Sequence, residues 1–291
     1  MKKMIKILSP AKLNLCLEVV NRYDSGFHEL RSIFLKSKNI YDELFIVFDE
    51  SKHGISIDCT NEIIPRDDKN ICWKIIDKYF EKTKFKRIGV EIDIKKNIPI
   101  LAGLGGGSSN GASVLLAINE YFGSFLTLSE LTDIAEEIGK DIPFFLNNHD
   151  ACYVSGVGEN VQGIDGFMHL NILVIYPNEH ISTSWAYGKL DRDLWYMKNK
   201  FRYNLSEEIV RNSKDFDRLI PNIHNDFLVV TGKKIPVVTE LISTLKAFGA
   251  KASSISGKGP TVFGVFKDEN ELNLAEGQFR ENYPDYFISK F

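Results

Sequence analysis

Residues able to do chemistry gather at five places in the chain. The densest is Pro99-Ile100-Leu101-Ala102-Gly103-Leu104-Gly105-Gly106-Gly107-Ser108-Ser109-Asn110, with four glycines in the five positions 103–107. Glycine takes positive φ without strain and lets backbone approach an anion closely. Successive N–H groups then converge on phosphate oxygens, and a following helix adds unpaired N–H groups at its start. Asp141 stands before Ile142-Pro143-Phe144-Phe145, a setting suited either to a general base or to the cap of a proline-initiated helix. Lys12 and Asn14 alternate on one face of a predicted strand, pointing either into a cleft or to solvent. Phe27 and His28 follow an Asp24-Ser25-Gly26 turn, where an aromatic beside a histidine can hold a flat ring or simply pack. Ser256-Gly257-Lys258-Gly259-Pro260-Thr261 makes a second glycine turn.

The central loop fits neither common nucleotide signature. No lysine follows its glycines as a Walker motif requires. Its Gly-x-Gly-Gly-Gly spacing is not the dinucleotide Gly-x-Gly-x-x-Gly, and Glu120, at the distance of a ribose-binding acid, falls inside a predicted helix.

The elements that must position these residues follow from periodicity. A strand is expected through residues 5–20, with Leu13, Leu15 and Leu17 on one face and Lys12, Asn14 and Cys16 on the other. Strands at 29–36 and 42–48 are separated by a turn at Asp42-Glu43. An amphipathic helix runs from Asn70 to Phe80, then a strand at 90–94 leads into the loop. The helix after the loop runs from about Asn110 to Phe122, with Ser108 or Ser109 as N-cap and Gly111 and Ala112 keeping its first turn slim beside a ligand. Thr127-Leu128-Ser129-Glu130 is a capping box for a helix through Ile138, which Gly139 ends as a C′ residue. Strands follow at 151–154, 170–176, 252–256 and 262–266, with helices from Ser182, at 237–248 and at 270–281; residues 190–222 read as irregular with a helix. A domain boundary falls between about 145 and 170, giving domains 1–155 and 156–291.

With 291 residues, 44% of them hydrophobic, the chain can bury a substantial core. A net charge of −3 offers no basic field for nucleic acid. Cys16, Cys59, Cys72 and Cys152 form no Cys-x-x-Cys pair, which argues against zinc and disulfides and fits a reducing cytoplasm. No apolar run reaches membrane length, and Lys6, Pro10 and Lys12 interrupt any signal-peptide core. A cytoplasmic monomer or homodimer is expected.

Three separated motifs, Pro10-Ala11-Lys12-Leu13-Asn14-Leu15, Gly103–Ser109 and Ser256-Gly257-Lys258-Gly259-Pro260-Thr261-Val262-Phe263, resemble those of the GHMP kinases. Gly26-Phe27-His28 and Gly139-Lys140-Asp141-Ile142-Pro143-Phe144-Phe145 narrow the resemblance to the branch whose acceptor is a CDP-linked methylerythritol of the non-mevalonate isoprenoid pathway. The resemblance implies an α+β fold in two lobes with the active site in the cleft between them, ATP as donor, and Mg²⁺. It implies that Asp141 is the catalytic base and Lys12 the catalytic lysine. Gly103, Leu104, Gly105, Gly106, Gly107, Ser108 and Ser109 match the phosphate loop, and Asn70 and Lys96 the adenosine contacts. Asn14 matches a substrate contact, His28 the reader of cytosine, and Phe27 and Tyr187 the aromatics around it.

Three positions depart from the family pattern: Phe27 replaces a tyrosine, and Leu101 and Lys258 replace small residues. Two other readings stand beside this one. Another GHMP kinase, of homoserine or mevalonate type, needs no nucleobase clamp, so Phe27, His28 and Tyr187 discriminate. A catalytically silent nucleotide-binding protein needs neither Asp141 nor Lys12.

Overall fold

The computed structural model describes residues 2–194 and 204–291. In chain order the N-terminal elements are β1 (Lys2–Arg22), β2 (His28–Asp49), β3 (Gly54–Cys59), α1 (Ile71–Thr83), β4 (Gly89–Lys95), α2 (Gly106–Tyr121), α3 (Leu128–Ile138) and α4 (Ile142–Leu146). Then come β5 (Ala151–Gly156), β6 (Asn160–Gly163), β7 (Asn171–Tyr176), α5 (Thr183–Leu194), α6 (Leu205–Arg211) and α7 (Phe216–Leu219). The chain closes with α8 (Leu228–Lys234), α9 (Pro236–Ala247), β8 (Ala252–Ile255), β9 (Val262–Phe266), α10 (Glu269–Asn282) and β10 (Phe287–Lys290). Residues 195–203, within the stretch read as irregular, lie outside the described residues.

Two compact units emerge, but not from one cut near residue 155. The first comprises Met1–Ala11, Tyr41–Ile98 and Gly105–Asn148; the second Lys12–Ile40, Pro99–Leu104 and His149–Phe291. The physical reason is strand length. β1 has 21 residues and β2 has 22, so each contributes one half to either unit.

In the first unit the C-terminal half of β2 pairs antiparallel with β4, Glu43 opposite Lys95 through Asp49 opposite Gly89. β4 pairs parallel with β3. Helices α1 to α4 bury Ile75, Tyr79, Leu115, Ile118, Leu131, Ala135, Ile142 and Phe144. Asn70 caps α1, its Oδ1 accepting from the Cys72 N–H. The Thr127–Glu130 capping box starts α3 as expected. Gly139 ends α3, but with extended backbone at φ −168°, so no left-handed C′ turn forms there.

In the second unit the N-terminal half of β2 pairs with β5, and β5 with β6. A separate four-stranded sheet runs β10-β7-β9-β8. α8, α9 and α10 complete its core around Leu173, Ile175, Phe227, Leu241, Leu245, Phe266 and Phe279.

One strand expectation needs correction. Residues 28–49 form one strand, not two with a turn at Asp42-Glu43. Asp42 stays within it because its buried carboxylate is fully partnered, accepting from the backbone N–H groups of Asn97 (2.8 Å) and Ile98 (2.9 Å) among others. For β1, burial of both faces from Ala11 to Val19 decides between the two alternatives left open. Lys12 is only 4% exposed and Asn14 1%, which excludes the solvent-facing reading of that pair.

Candidate active site

In the second unit the three motifs meet through specific bonds. The Lys12 N–H donates to the Leu104 carbonyl at 2.9 Å. The Asn14 N–H donates to Ser256 Oγ at 3.2 Å, and that hydroxyl donates to the Gly103 carbonyl at 3.0 Å. Gly103 has φ +82°, and a Cβ there would sit 2.5 Å from the Ser256 carbonyl oxygen, so only glycine fits where the two glycine turns touch. Gly103→Ala is therefore expected to destabilise the fold by roughly 1–3 kcal/mol, read as a lowered midpoint in urea; an unchanged midpoint contradicts this packing. Asn225 holds the second turn from below, its Nδ2 donating to the Ile255 (2.7 Å) and Gly257 (2.8 Å) carbonyls. The sequence reading passed over Asn225 because a buried asparagine inside a polar stretch looks like loop.

Lys12 is fixed by its neighbours. Its Nζ donates to Asn14 Oδ1 at 2.5 Å and lies 4.5 Å from the centroid of the Phe34 ring. Asn14 Nδ2 in turn donates to Ser32 Oγ at 3.0 Å, and Ser32 donates to the Cys16 carbonyl. Asn14 thus aims the ammonium, with both ends of its amide engaged. Ser32 went unnoticed in the sequence, where it is one serine in a strand.

Lys258 is not simply solvated. Its Nζ donates to the Ile181 carbonyl at 2.6 Å, linking the second glycine turn to the segment before α5. Burial, and secondarily the charge of Lys12, push its pKa below the ordinary lysine value. The folded state then binds this proton more weakly than the unfolded chain. Stability linked to Lys258 accordingly rises as pH climbs from the lowered folded pKa toward the unfolded one. Against Lys258→Met, the wild type should gain in relative Tm over the alkaline range as pH rises toward 10.5. A difference in Tm that stays constant over that range contradicts the assignment.

The first unit carries the start of α2. The helix begins at Gly106, four residues earlier than the sequence reading placed it, with Gly105 as N-cap at φ +71° and no side-chain cap. The first helical bond runs from the Ser109 N–H to the Gly105 carbonyl at 2.9 Å. The N–H groups of Gly106, Gly107 and Ser108 precede it and have no intrahelical acceptor. Consecutive N–H donors at a positive helix end are an arrangement suited to anions. Ser109 does not contribute: its side chain is fully buried, its hydroxyl accepting from Ser9 Oγ at 2.7 Å. Gly111 is slim for packing, since a Cβ there would meet the Ile71 side chain of α1 at 2.6 Å.

Beneath this helix start lies a buried polar cluster. Asp42 pairs with Lys96 Nζ and accepts from Asn110 Nδ2 at 3.0 Å, which also donates to Ser9 Oγ at 3.0 Å. Lys96 and Asp42 side chains are 7% and 0% exposed. A Cβ on Gly106 would lie 3.1 Å from Lys96 Nζ, so the ammonium sits directly under the loop backbone. Asn70, the other predicted adenosine contact, is 6% exposed, with Nδ2 donating to the Pro65 carbonyl at 2.6 Å. Asp141 occupies the N-cap position of α4 in helical conformation, yet its side chain makes no capping bond. The cap explanation for this carboxylate therefore fails.

The flat-ring corner belongs to the second unit. Tyr23 N–H donates to the Phe27 carbonyl at 2.8 Å, closing the tip between β1 and β2. Phe27 is 56% exposed there. The His28 ring lies 4.5 Å from that of Tyr187 at 30°, and Tyr187 meets Phe227 edge-on at 4.8 Å. Histidine and tyrosine thus touch directly.

Among the described residues no three His, Cys, Asp or Glu side chains stand together as a metal cage. No helix among them is long and apolar enough to cross a membrane.

The family models for the GHMP kinases N terminal domain and the GHMP kinases C terminal match residues 70–149 and 204–285. A 4-diphosphocytidyl-2-C-methyl-D-erythritol kinase of Syntrophotalea carbinolica is 35% identical over 272 residues, 94% of this chain and 93% of that protein. The enzyme of the same name from Acetivibrio thermocellus is 32% identical over 289 residues, 98% of each chain. A crystal structure of 4-(cytidine 5'-diphospho)-2C-methyl-D-erythritol kinase superposes with a TM-score of 0.79 at 25% identity, covering 98% of both chains. Homoserine kinase from Cytophaga hutchinsonii shares the fold at a TM-score of 0.75 and 17% identity, covering 99% of this chain and 93% of that one. By its two domain matches and its full-length relatives, the chain belongs to the GHMP kinases, in the 4-diphosphocytidyl-2-C-methyl-D-erythritol kinase family.

Proposed function

We propose that this protein transfers the γ-phosphoryl group of ATP to the 2-hydroxyl of 4-diphosphocytidyl-2-C-methyl-D-erythritol. The observation that carries this reading is the run of unbonded N–H groups at Gly106, Gly107 and Ser108, set behind a left-handed Gly105, in a chain of this family. Phosphoryl transfer asks mainly for positioning and charge stabilisation, and those donors serve the β- and γ-phosphates. Asp141 accepts the proton of the attacking hydroxyl. Lys12, aimed by Asn14, offsets the charge that develops on the transferring group. Asn70 and Lys96 bound the adenosine side, Lys96 supplying positive charge under the loop. Phe27 and Tyr187 flank the cytosine, and His28 reads its edge. When bound with ATP, Mg²⁺ would supply charge neutralisation at the phosphates.

The test is an acceptor panel with labelled ATP. The cytidine-linked methylerythritol should be phosphorylated; mevalonate and homoserine should not. Comparable turnover on either of those two overturns the acceptor assignment. In the same assay His28→Ala should raise acceptor KM about 5- to 150-fold, the worth of roughly 1–3 kcal/mol of lost hydrogen bonding, with ATP KM little changed. An unchanged acceptor KM shows that His28 only packs.

A further inference from the structure

The corner that carries Phe27 and His28 is pinned by a residue on a distant part of the chain. Asp191, on α5, places Oδ1 2.6 Å from His28 Nε2 and Oδ2 3.4 Å from Arg22 NH1. Arg22 is the last residue of β1 and His28 the first of β2. One carboxylate therefore ties both strand ends across the turn whose tip is Phe27. The His28 side chain is 9% exposed and Asp191 26%, so the 2.6 Å bond is shielded from water, whereas Arg22 at 58% contributes little. The same helix carries Tyr187, one turn earlier, against the face of the His28 ring. An imidazole held by a ring contact on its face and an acceptor at Nε2 keeps one orientation and one tautomer. Nε2 bears the proton that Asp191 accepts, and Nδ1 is left for a ligand.

We infer that Asp191 is a positioning residue for acceptor recognition: its carboxylate fixes the His28 ring and the turn bearing Phe27, so that the cytidine end of the acceptor meets a preformed corner. This rests on the proposed reading of Phe27 and His28. A preformed corner binds without the cost of ordering the turn on each encounter. Asp191 touches neither reacting group, so its loss falls on acceptor affinity and spares the phosphate loop.

The experiment has a functional and a spectroscopic arm. Asp191→Ala and the volume-matched Asp191→Leu, which guards against a folding failure in either, should each raise acceptor KM and the Kd for CDP about tenfold. ATP KM should change less than about twofold. Asp191→Asn keeps an acceptor oxygen and should recover most of the affinity. In wild type, nitrogen-15 NMR of the His28 ring, assigned by comparison with His28→Gln, should show the proton on Nε2. Wild-type CDP affinity in variants that lack the carboxylate, or a neutral His28 protonated on Nδ1, overturns the proposal. Losses shared equally between ATP and acceptor also overturn it, because a merely structural role acts on both. If wild type itself binds no CDP, the cytidine reading fails instead, and the ring spectrum still decides whether Asp191 holds His28.

Discussion

Asp141→Asn is expected to lower kcat by about 10²–10⁴, the usual worth of a positioned general base, while acceptor KM moves less than about threefold. The substitution keeps shape and polarity and removes only the capacity to take the proton. Lys12→Ala should also lower kcat strongly. It does so at some cost in stability, because Asn14 Oδ1 and the Phe34 face lose their partner in a site that is 4% exposed. Combined, the two changes should be hardly worse than the more severe one, since residues that serve one transition state are not additive. Steady-state kinetics of the four proteins is the measurement. Fully additive losses, or an Asp141→Asn enzyme with wild-type kcat, contradict a shared catalytic role.

Gly105→Val should weaken ATP binding by roughly 100-fold or more in calorimetric titration of folded protein. Gly105 holds φ +71° at the N-cap of α2, a conformation in which a β-branched side chain is severely strained. Relief of that strain rotates the following peptide planes and scatters the N–H groups of Gly106, Gly107 and Ser108. Gly105→Ala, which strains the backbone without branching, should fall between the two. Because Gly105 begins the first unit's share of the loop, acceptor binding in the absence of ATP should survive. Normal ATP affinity in the valine variant would mean that the loop does not cradle phosphate.

Most of the architecture was legible where pattern and capping agree. The Thr127–Glu130 box, the alternation at 90–94, the buried strand at 171–176 and the amphipathic helix ending before Gly249 are local signals, and each formed where expected. What escaped was decided by distant partners. Asp42 and Glu43 look like a turn until the N–H groups of Asn97 and Ile98 reach Asp42. Ser108 and Ser109 look like caps, but Gly105 can adopt the left-handed conformation and so starts the helix sooner.

The candidate site divides in the same way. Its chemistry-bearing residues are short motifs with fixed spacing, and these can be read from one sequence. The residues that aim them are single polar side chains without a motif. Asn14 was noticed for itself, yet its amide serves Lys12 and Ser32. Asn225 and Asp191 gain meaning only from the groups folded against them.

The most direct test of the central claim is phosphorus-31 NMR of the protein incubated with Mg-ATP and 4-diphosphocytidyl-2-C-methyl-D-erythritol. The account predicts one new phosphate monoester resonance on the acceptor, its diphosphate resonances retained, and ADP formed in equal amount. ADP appearing with inorganic phosphate, or at a rate indifferent to the acceptor, would contradict it.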